Sequence, residues 1–284
     1  MDLPPGRHFE LPGRGTTFLR ELPGPPGAPT LLLLHGWTAS SDLNWYASYD
    51  ALGRQFRVVA MDHRGHGRGI RSRRPFRLSD CADDAAALVE ELELGPVIVV
   101  GYSMGGPVAQ LLWRRHPQLV AGLVLCATSR TFSSLPRERV RFAAIGGAAV
   151  GTRLIPRSVT AGAIARIFDA RRTAGPTEGW AAEELRRNDW TAILEAGRSL
   201  GRFDSREWIG EVDVPTAVVT VMNDQLVAPR RQVALGRSIP GATLHPVQGD
   251  HAVCVTNPRR FLPVLLEACT GVAARVAATP TSGR

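Results

Sequence analysis

The sequence predicts an α/β fold with a doubly wound, mostly parallel sheet. Three observations lead there. Short apolar runs recur ("TLLLLHG", "FRVVAMD", "VIVVGYS", "GLVLCAT", "TAVVTVM" and "ATLHPV"), and most are continuous rather than alternating, as strands buried on both faces require. Segments of helical periodicity separate these runs, so strands and helices take turns along the chain. A chain of 284 residues with 44% hydrophobic and 21% charged side chains suits a large globular core.

Taken in order, "RHFELPGRGTTFLREL" reads as two extended segments around Gly13 and Gly15, a hairpin. "PGPPGAP" (Pro23 to Pro29) is a stiff surface connection. "LSDCADDAAALVEELEL" is helical, with Ser79 or Asp80 as the expected cap and Gly95 just beyond its end. Between "LVLCATS" and "VPTAVVTV" the strand rhythm stops. "AAIGGAAVGTRLI", "AGAIARIFDARR" and "EELRRNDWTAILEAG" look helical instead, and a structureless loop of that length is improbable. Residues 131–208 are therefore expected to form a helical insertion over one end of the sheet, with 1–130 and 209–284 making the core. No internal repeat is visible, and the tail after Ala273 is expected to fray.

The formal charge of +8 raises the question of nucleic acid. All 34 basic residues are arginine, with no lysine, a bias that a GC-rich coding sequence produces by itself. The arginines are scattered except from Arg68 to Arg77, which reads as a solvated face, and no nucleic-acid motif accompanies them. The start of the chain has no apolar stretch of signal-peptide length, and the run Leu31 to Leu34 is far too short to span a bilayer. Cys81, Cys126, Cys254 and Cys269 lie far apart, without metal spacing or a disulfide framework. The expectation is a soluble, cytoplasmic protein without nucleic-acid partner, stable membrane insertion, metal or cofactor.

The run Val97 to Val100 meets a serine set among glycines, and a helical pattern follows at once. Gly101-Tyr102-Ser103-Met104-Gly105 fits G-x-S-x-G in a strand–turn–helix context. A nucleophilic serine on so sharp a turn leaves its neighbours two positions away no room for side chains. The helix beginning at Met104 turns its free N–H groups toward the same place. A serine hydroxyl needs a base, and the base needs an orienting carboxylate, in the chain order Ser, Asp or Glu, His. Asp224, in "NDQLVAP", and His251, in "QGDHAVCV", each follow a predicted strand, where open α/β sheets place their sites.

With these residues in hand, the sequence resembles the α/β-hydrolases. "LLLLHGW", "DHRGHGRG", "GYSMGG", "NDQLVAP" and "GDHAV" match that family's landmarks in order, over residues 7–268. The resemblance implies Ser103 as nucleophile, His251 as base and Asp224 as the acid behind it. It also implies an oxyanion hole from the backbone N–H groups of Trp37 and Met104, and a helical cap between the sixth and seventh strands. Gly36, Tyr102 and Trp37 are expected to line the acyl pocket. Serine at the nucleophile position speaks against epoxide hydrolases and haloalkane dehalogenases, and "HGWTASS" lacks the glycine-rich loop of many C–C bond hydrolases. Gly69 stands where many relatives carry serine, which implies a local structural difference.

Other residues compete for these roles. His63 and His66 have the look of a metal pair but lack further ligands, and a turn after the fourth strand explains them. His35 is read as shaping the oxyanion loop and His245 as packed within a strand. Asp62 precedes Ser103 and reads as a turn residue, while Asp250 adjoins His251 and cannot easily reach behind its ring. Cys254, three residues after His251, reads as packing. The expected activity is hydrolysis of a carboxylic ester or lactone through an acyl-enzyme. Perhydrolase or C–C bond hydrolase chemistry on the same residues is the alternative, followed by a non-catalytic binding protein.

Overall fold

A computed structural model describes residues 3–134, 136–152 and 176–278. Among them, eight strands form one sheet in the order β1-β2-β4-β3-β5-β6-β7-β8. The hairpin β1 (Gly6–Leu11) and β2 (Gly15–Leu22) is antiparallel, and β2 also runs antiparallel to β4 (Arg57–Met61). The remaining strands β3 (Thr30–Leu34), β5 (Val97–Tyr102), β6 (Val120–Cys126), β7 (Thr216–Val221) and β8 (Thr243–Val247) pair in parallel, with β4 beside β3.

The continuous apolar runs have a simple cause. Side chains alternate across a strand, so Leu32, Leu34, Val97 and Val99 enter one core layer, while Leu31, Leu33, Ile98 and Val100 enter the other. Helices cover both faces. The first layer is closed by α3 (Leu78–Glu91) and α4 (Gly105–Arg115). The second is closed by the short helices α1 (Ser41–Trp45) and α2 (Tyr49–Gly53) and the C-terminal helix, which places Phe261, Leu265 and Val272 there. The edge strand β8 has only Val247 fully buried, because no strand follows it.

Between β6 and β7 the chain leaves the sheet. Thr131 and Asp204 form an antiparallel bridge at the neck of this excursion, and Ser205 N donates to Arg130 O at 2.9 Å. Within it lie α5 (Pro136–Thr152), α6 (Pro176–Arg186) and α7 (Trp190–Arg202). Asp189 caps α7 by accepting from Thr191 N and Ala192 N, which breaks "EELRRNDWTAILEAG" into two helices. The predicted helical stretch "AGAIARIFDARR" lies outside the described residues.

Three expectations need correction. The helix α3 begins at Leu78 after Arg77, and neither Ser79 nor Asp80 caps it. Its entry is held by the insertion instead: Ser199 Oγ accepts from Leu78 N at 3.3 Å, and Glu195 Oε2 from Phe76 N at 2.7 Å. The chain does not fray at Ala273. Beyond α8 (Pro229–Ser238) and the short α9 (Val253–Thr256), the last helix, α10 (Pro258–Ala278), continues to Ala278. Arg275 secures that final turn by donating to Thr216 O at 2.6 Å and Gly241 O at 2.8 Å. By length and hydropathy alone α10 could cross a membrane, but one face of it is core. Lastly, Arg68 is no solvated residue. It sits among Asp42, Asp62 and Glu184, with its guanidinium 3.7 Å over the Phe18 ring.

Candidate active site

The turn between β5 and α4 puts Ser103 at φ +50°, a conformation that costs a non-glycine residue free energy. The surroundings over-determine it. Ser103 N donates to Cys126 O at 2.9 Å, and Ser103 O accepts from Gly106 N at 3.0 Å and Thr128 Oγ1 at 2.8 Å. The flanking glycines are a steric requirement. A Cβ on Gly101 would strike the Gly105 carbonyl, and one on Gly105 would strike the backbone carbonyl of Leu34.

Asp224 follows β7 and His251 follows β8, so both stand at the same edge of the sheet as Ser103. His251 Nε2 lies 2.9 Å from Ser103 Oγ, and His251 Nδ1 lies 2.7 Å from Asp224 Oδ2. The Asp224 side chain is fully buried, whereas His251 is 19% exposed. Asp224 Oδ1 accepts from Leu226 N and Val227 N, both at 2.8 Å, and Oδ2 also accepts from Gln232 Nε2 at 3.0 Å. Tyr102, itself buried, donates its hydroxyl to His251 O at 2.7 Å and so holds the histidine backbone.

Opposite Ser103 runs the loop after β3. Its Gly36 lies so close that an added Cβ would touch the Ser103 Cβ at 3.4 Å. Gly36 N donates to Asn44 Oδ1 at 2.9 Å. Among the described residues, no acceptor pairs with the backbone N–H of Trp37 or of Met104. Trp37 lines the same cavity as Ser103, and Met104 follows Ser103 directly in the chain.

A cavity of about 490 Å³ opens onto Ser103 and His251. Gly36, Trp37 and Tyr102 line it, as do Phe132, Phe142 and Ile145 from the insertion. Its wall is mainly apolar, and Arg141 is the one arginine among its lining residues, which include no Asp or Glu.

The competing residues are accounted for elsewhere. Asp62 is buried, accepting from Ser41 N at 2.8 Å, Ser41 Oγ at 2.6 Å and Arg68 N at 2.8 Å. Asp250 caps the local turn through Ala252 N and Thr256 Oγ1. His35, His63 and His66 cluster in the core, where burial pushes each ring below its usual value, His66 to about 3. No group of metal-ligating side chains occurs among the described residues. Burial raises the Cys254 thiol to about 12, which leaves it a poor nucleophile at neutral pH. A side chain on Gly69 would collide with the carbonyls of Asp62 and His63, so the serine of many relatives has no room here. Sequence reasoning missed Asn44, Gln232 and Asn188, polar residues on helices and a loop whose only signal is their tertiary partner.

The model of a family described as alpha/beta hydrolase fold matches residues 29–147. A protein of Agrobacterium fabrum named as a carbamate hydrolase, RutD, is 29% identical over 266 residues, covering 92% of this chain and 97% of the relative. Among solved structures, a hydrolase from Pseudomonas aeruginosa aligns with a TM-score of 0.76 at 24% identity, over 93% of this chain and 98% of the other. The enol-lactonase of Burkholderia xenovorans aligns with a TM-score of 0.75 at 21% identity, over 93% and 100%. The chain has the α/β-hydrolase fold, and part of it matches the family model of that description.

Proposed function

We propose that this protein is a serine hydrolase that cleaves a carboxylic ester or lactone. The observation that carries the reading is the hydrogen-bonded line from Ser103 Oγ through His251 to the buried Asp224. Ser103 Oγ attacks the carbonyl carbon as its proton passes to His251 Nε2. Asp224 holds Nδ1–H and stabilises the imidazolium, and the N–H groups of Trp37 and Met104 receive the oxyanion. The C–O bond to the leaving group then breaks, His251 returns the proton to the departing alkoxide, and an acyl group remains on Ser103. Water, deprotonated by His251, attacks that ester and releases the acid. For a lactone, the alcohol and acid stay in one product.

Residues 131–208 act in this reading as a cap that walls the acyl pocket, with 1–130 and 209–284 as the catalytic core. The four cysteines are free and buried, which supports work in a reducing compartment such as the cytoplasm. The test is labelling by a fluorophosphonate, followed by rates on a panel of p-nitrophenyl esters, lactones and carbamates. Wild type should label at Ser103 and hydrolyse an ester or lactone, while Ser103→Ala should fold, fail to label and lose about 10⁴-fold or more in kcat. Labelling of Ser103→Ala at another serine would refute the assignment, and turnover of carbamates alone would refute the substrate class.

A further inference from the structure

The loop that carries the Trp37 N–H is not self-supporting. Residues 36–39 form a tight turn closed by Ala39 N donating to Gly36 O at 3.3 Å. Its third position, Thr38, adopts φ +67°, where glycine or asparagine is favoured and a β-branched residue is strained. Such a conformation persists only where neighbours impose it.

Two of those neighbours belong to the excursion between β6 and β7. Asn188, buried between α6 and α7, donates from Nδ2 to Thr38 O at 2.7 Å. Its Oδ1 accepts from Gly67 N at 2.8 Å, which fixes the orientation of the amide, because only an oxygen can accept there. The Asn188 amide is thus clamped between the loop after β4 and the turn at Thr38. Next to it, Asp189 N donates to Gly65 O at 2.9 Å. The second neighbour is α7, whose Ile193 O accepts from Trp37 Nε1 at 2.8 Å. Gly197, one turn on, leaves the indole its space, since a Cβ there would stand 2.7 Å from Trp37 Cζ2.

We infer that Asn188 is a positioning residue for the oxyanion hole, and that the helical excursion, through the turn at Thr38, holds the Gly36–Trp37 peptide, which carries the Trp37 N–H, in the orientation the reaction needs. This rests on the proposed serine-hydrolase reading of the site. The consequence is that cap placement sets the rate of the chemical step as well as the shape of the pocket. A donor whose peptide tilts loses its aim at the developing oxyanion while ground-state contacts along the acyl chain persist. The loss therefore falls on kcat rather than KM.

The experiment uses the full chain with Asn188→Ala, Asn188→Asp and Trp37→Phe. Aspartate keeps the acceptor for Gly67 N but turns an oxygen toward Thr38 O, so it separates support of the loop from simple occupancy. Trp37→Phe keeps an aromatic body and removes only the bond to Ile193 O, and it serves as the independent variant where a position-188 variant fails to fold. Each is assayed for kcat and KM on the best ester, and for affinity toward a trifluoromethyl ketone of the same acyl chain, whose hemiketal oxyanion occupies the hole. Expected are a fall of about 10- to 100-fold in kcat for both Asn188 variants and a smaller fall for Trp37→Phe, by analogy with misaligned catalytic groups. KM should stay within about two-fold, and ketone affinity should fall in parallel with kcat/KM. Wild-type kcat in folded variants, or a rise in KM with ketone affinity unchanged, overturns the inference while leaving the hydrolase reading intact. A wild-type chain that neither labels with fluorophosphonate nor hydrolyses any ester or lactone removes that reading and this inference together.

Discussion

Asp224 and His251 are 27 residues apart in the chain, yet Oδ2 and Nδ1 stand at 2.7 Å. Neither residue is free to choose another partner. The carboxylate is held by Leu226 N, Val227 N and Gln232 Nε2, and the histidine backbone by the Tyr102 hydroxyl. Gln232 is itself fixed, since its Oε1 accepts from Val221 N at 2.9 Å and its Nε2 also donates to Val227 O at 2.7 Å.

That arrangement predicts the effect of Asp224→Asn. An amide can present its NH2 to Nδ1 and trap the wrong imidazole tautomer, so kcat should fall by about 10⁴-fold with little change in KM. Asp250→Asn, on an exposed turn, should retain far more activity. Steady-state kinetics on the three proteins decide it. A larger kcat loss in a folded Asp250→Asn would move the acid away from Asp224.

The glycines of the turn give a stability prediction. At Gly105 an added methyl meets backbone, the Leu34 carbonyl, which cannot swing aside, so Gly105→Ala should lose several kcal/mol or fail to fold. Gly271, inside α10, has open space around its would-be Cβ. There Gly271→Ala should gain about 0.5–1 kcal/mol from helix propensity. Urea denaturation of both variants is the check, and equal stabilities would contradict the steric account.

Buried histidines predict an acid-sensitive fold. Burial holds His66 at about 3 against an ordinary value of 6.5, and lowers His35 and His63 as well. Between those values the unfolded chain binds protons that the folded chain refuses, so stability rises with pH in that window. The contribution is complete above about 6.5 and is lost progressively as pH falls toward 3. Unfolding free energy should be clearly lower at pH 5 than at pH 7.5, with net proton uptake on unfolding at pH 5. A flat profile between those two values would refute it.

Pocket size predicts a chain-length optimum. Phe132, Phe142, Ile145 and Leu200 close the 490 Å³ cavity, so each added CH2 contributes about 0.8 kcal/mol only while space lasts. For p-nitrophenyl esters, kcat/KM should climb to a short or medium acyl chain and then decline. Phe142→Ala should move that optimum to longer chains. A monotonic rise through long chains, with activation at lipid interfaces, would instead indicate a lipase. The cation at this cavity is Arg141; none of the arginines from Arg68 to Arg77 lines it.

What the sequence determined by itself was local and periodic. Continuous apolar runs at residues 30–34, 97–102 and 120–126 specify strands buried on both faces, because alternating side chains must enter two cores at once. The glycines around Ser103 announce a turn that tolerates no Cβ, since the collisions come from backbone near in sequence and from the adjacent strand. Candidates Ser103, Asp224 and His251 were legible for the same reason, each lying just past a recognisable strand. Tertiary structure alone decided everything that depends on a partner far along the chain. Ser79 and Asp80 had the right chemistry to cap α3, but Ser199 and Glu195, some 120 positions later, supplied the acceptors and moved its start. Arg68 looked like one more solvated arginine until Asp42, Asp62 and Glu184 enclosed it. Asn188 carried no signal at all, because an amide acquires meaning only from the two peptide groups that close on it, Gly67 N and Thr38 O.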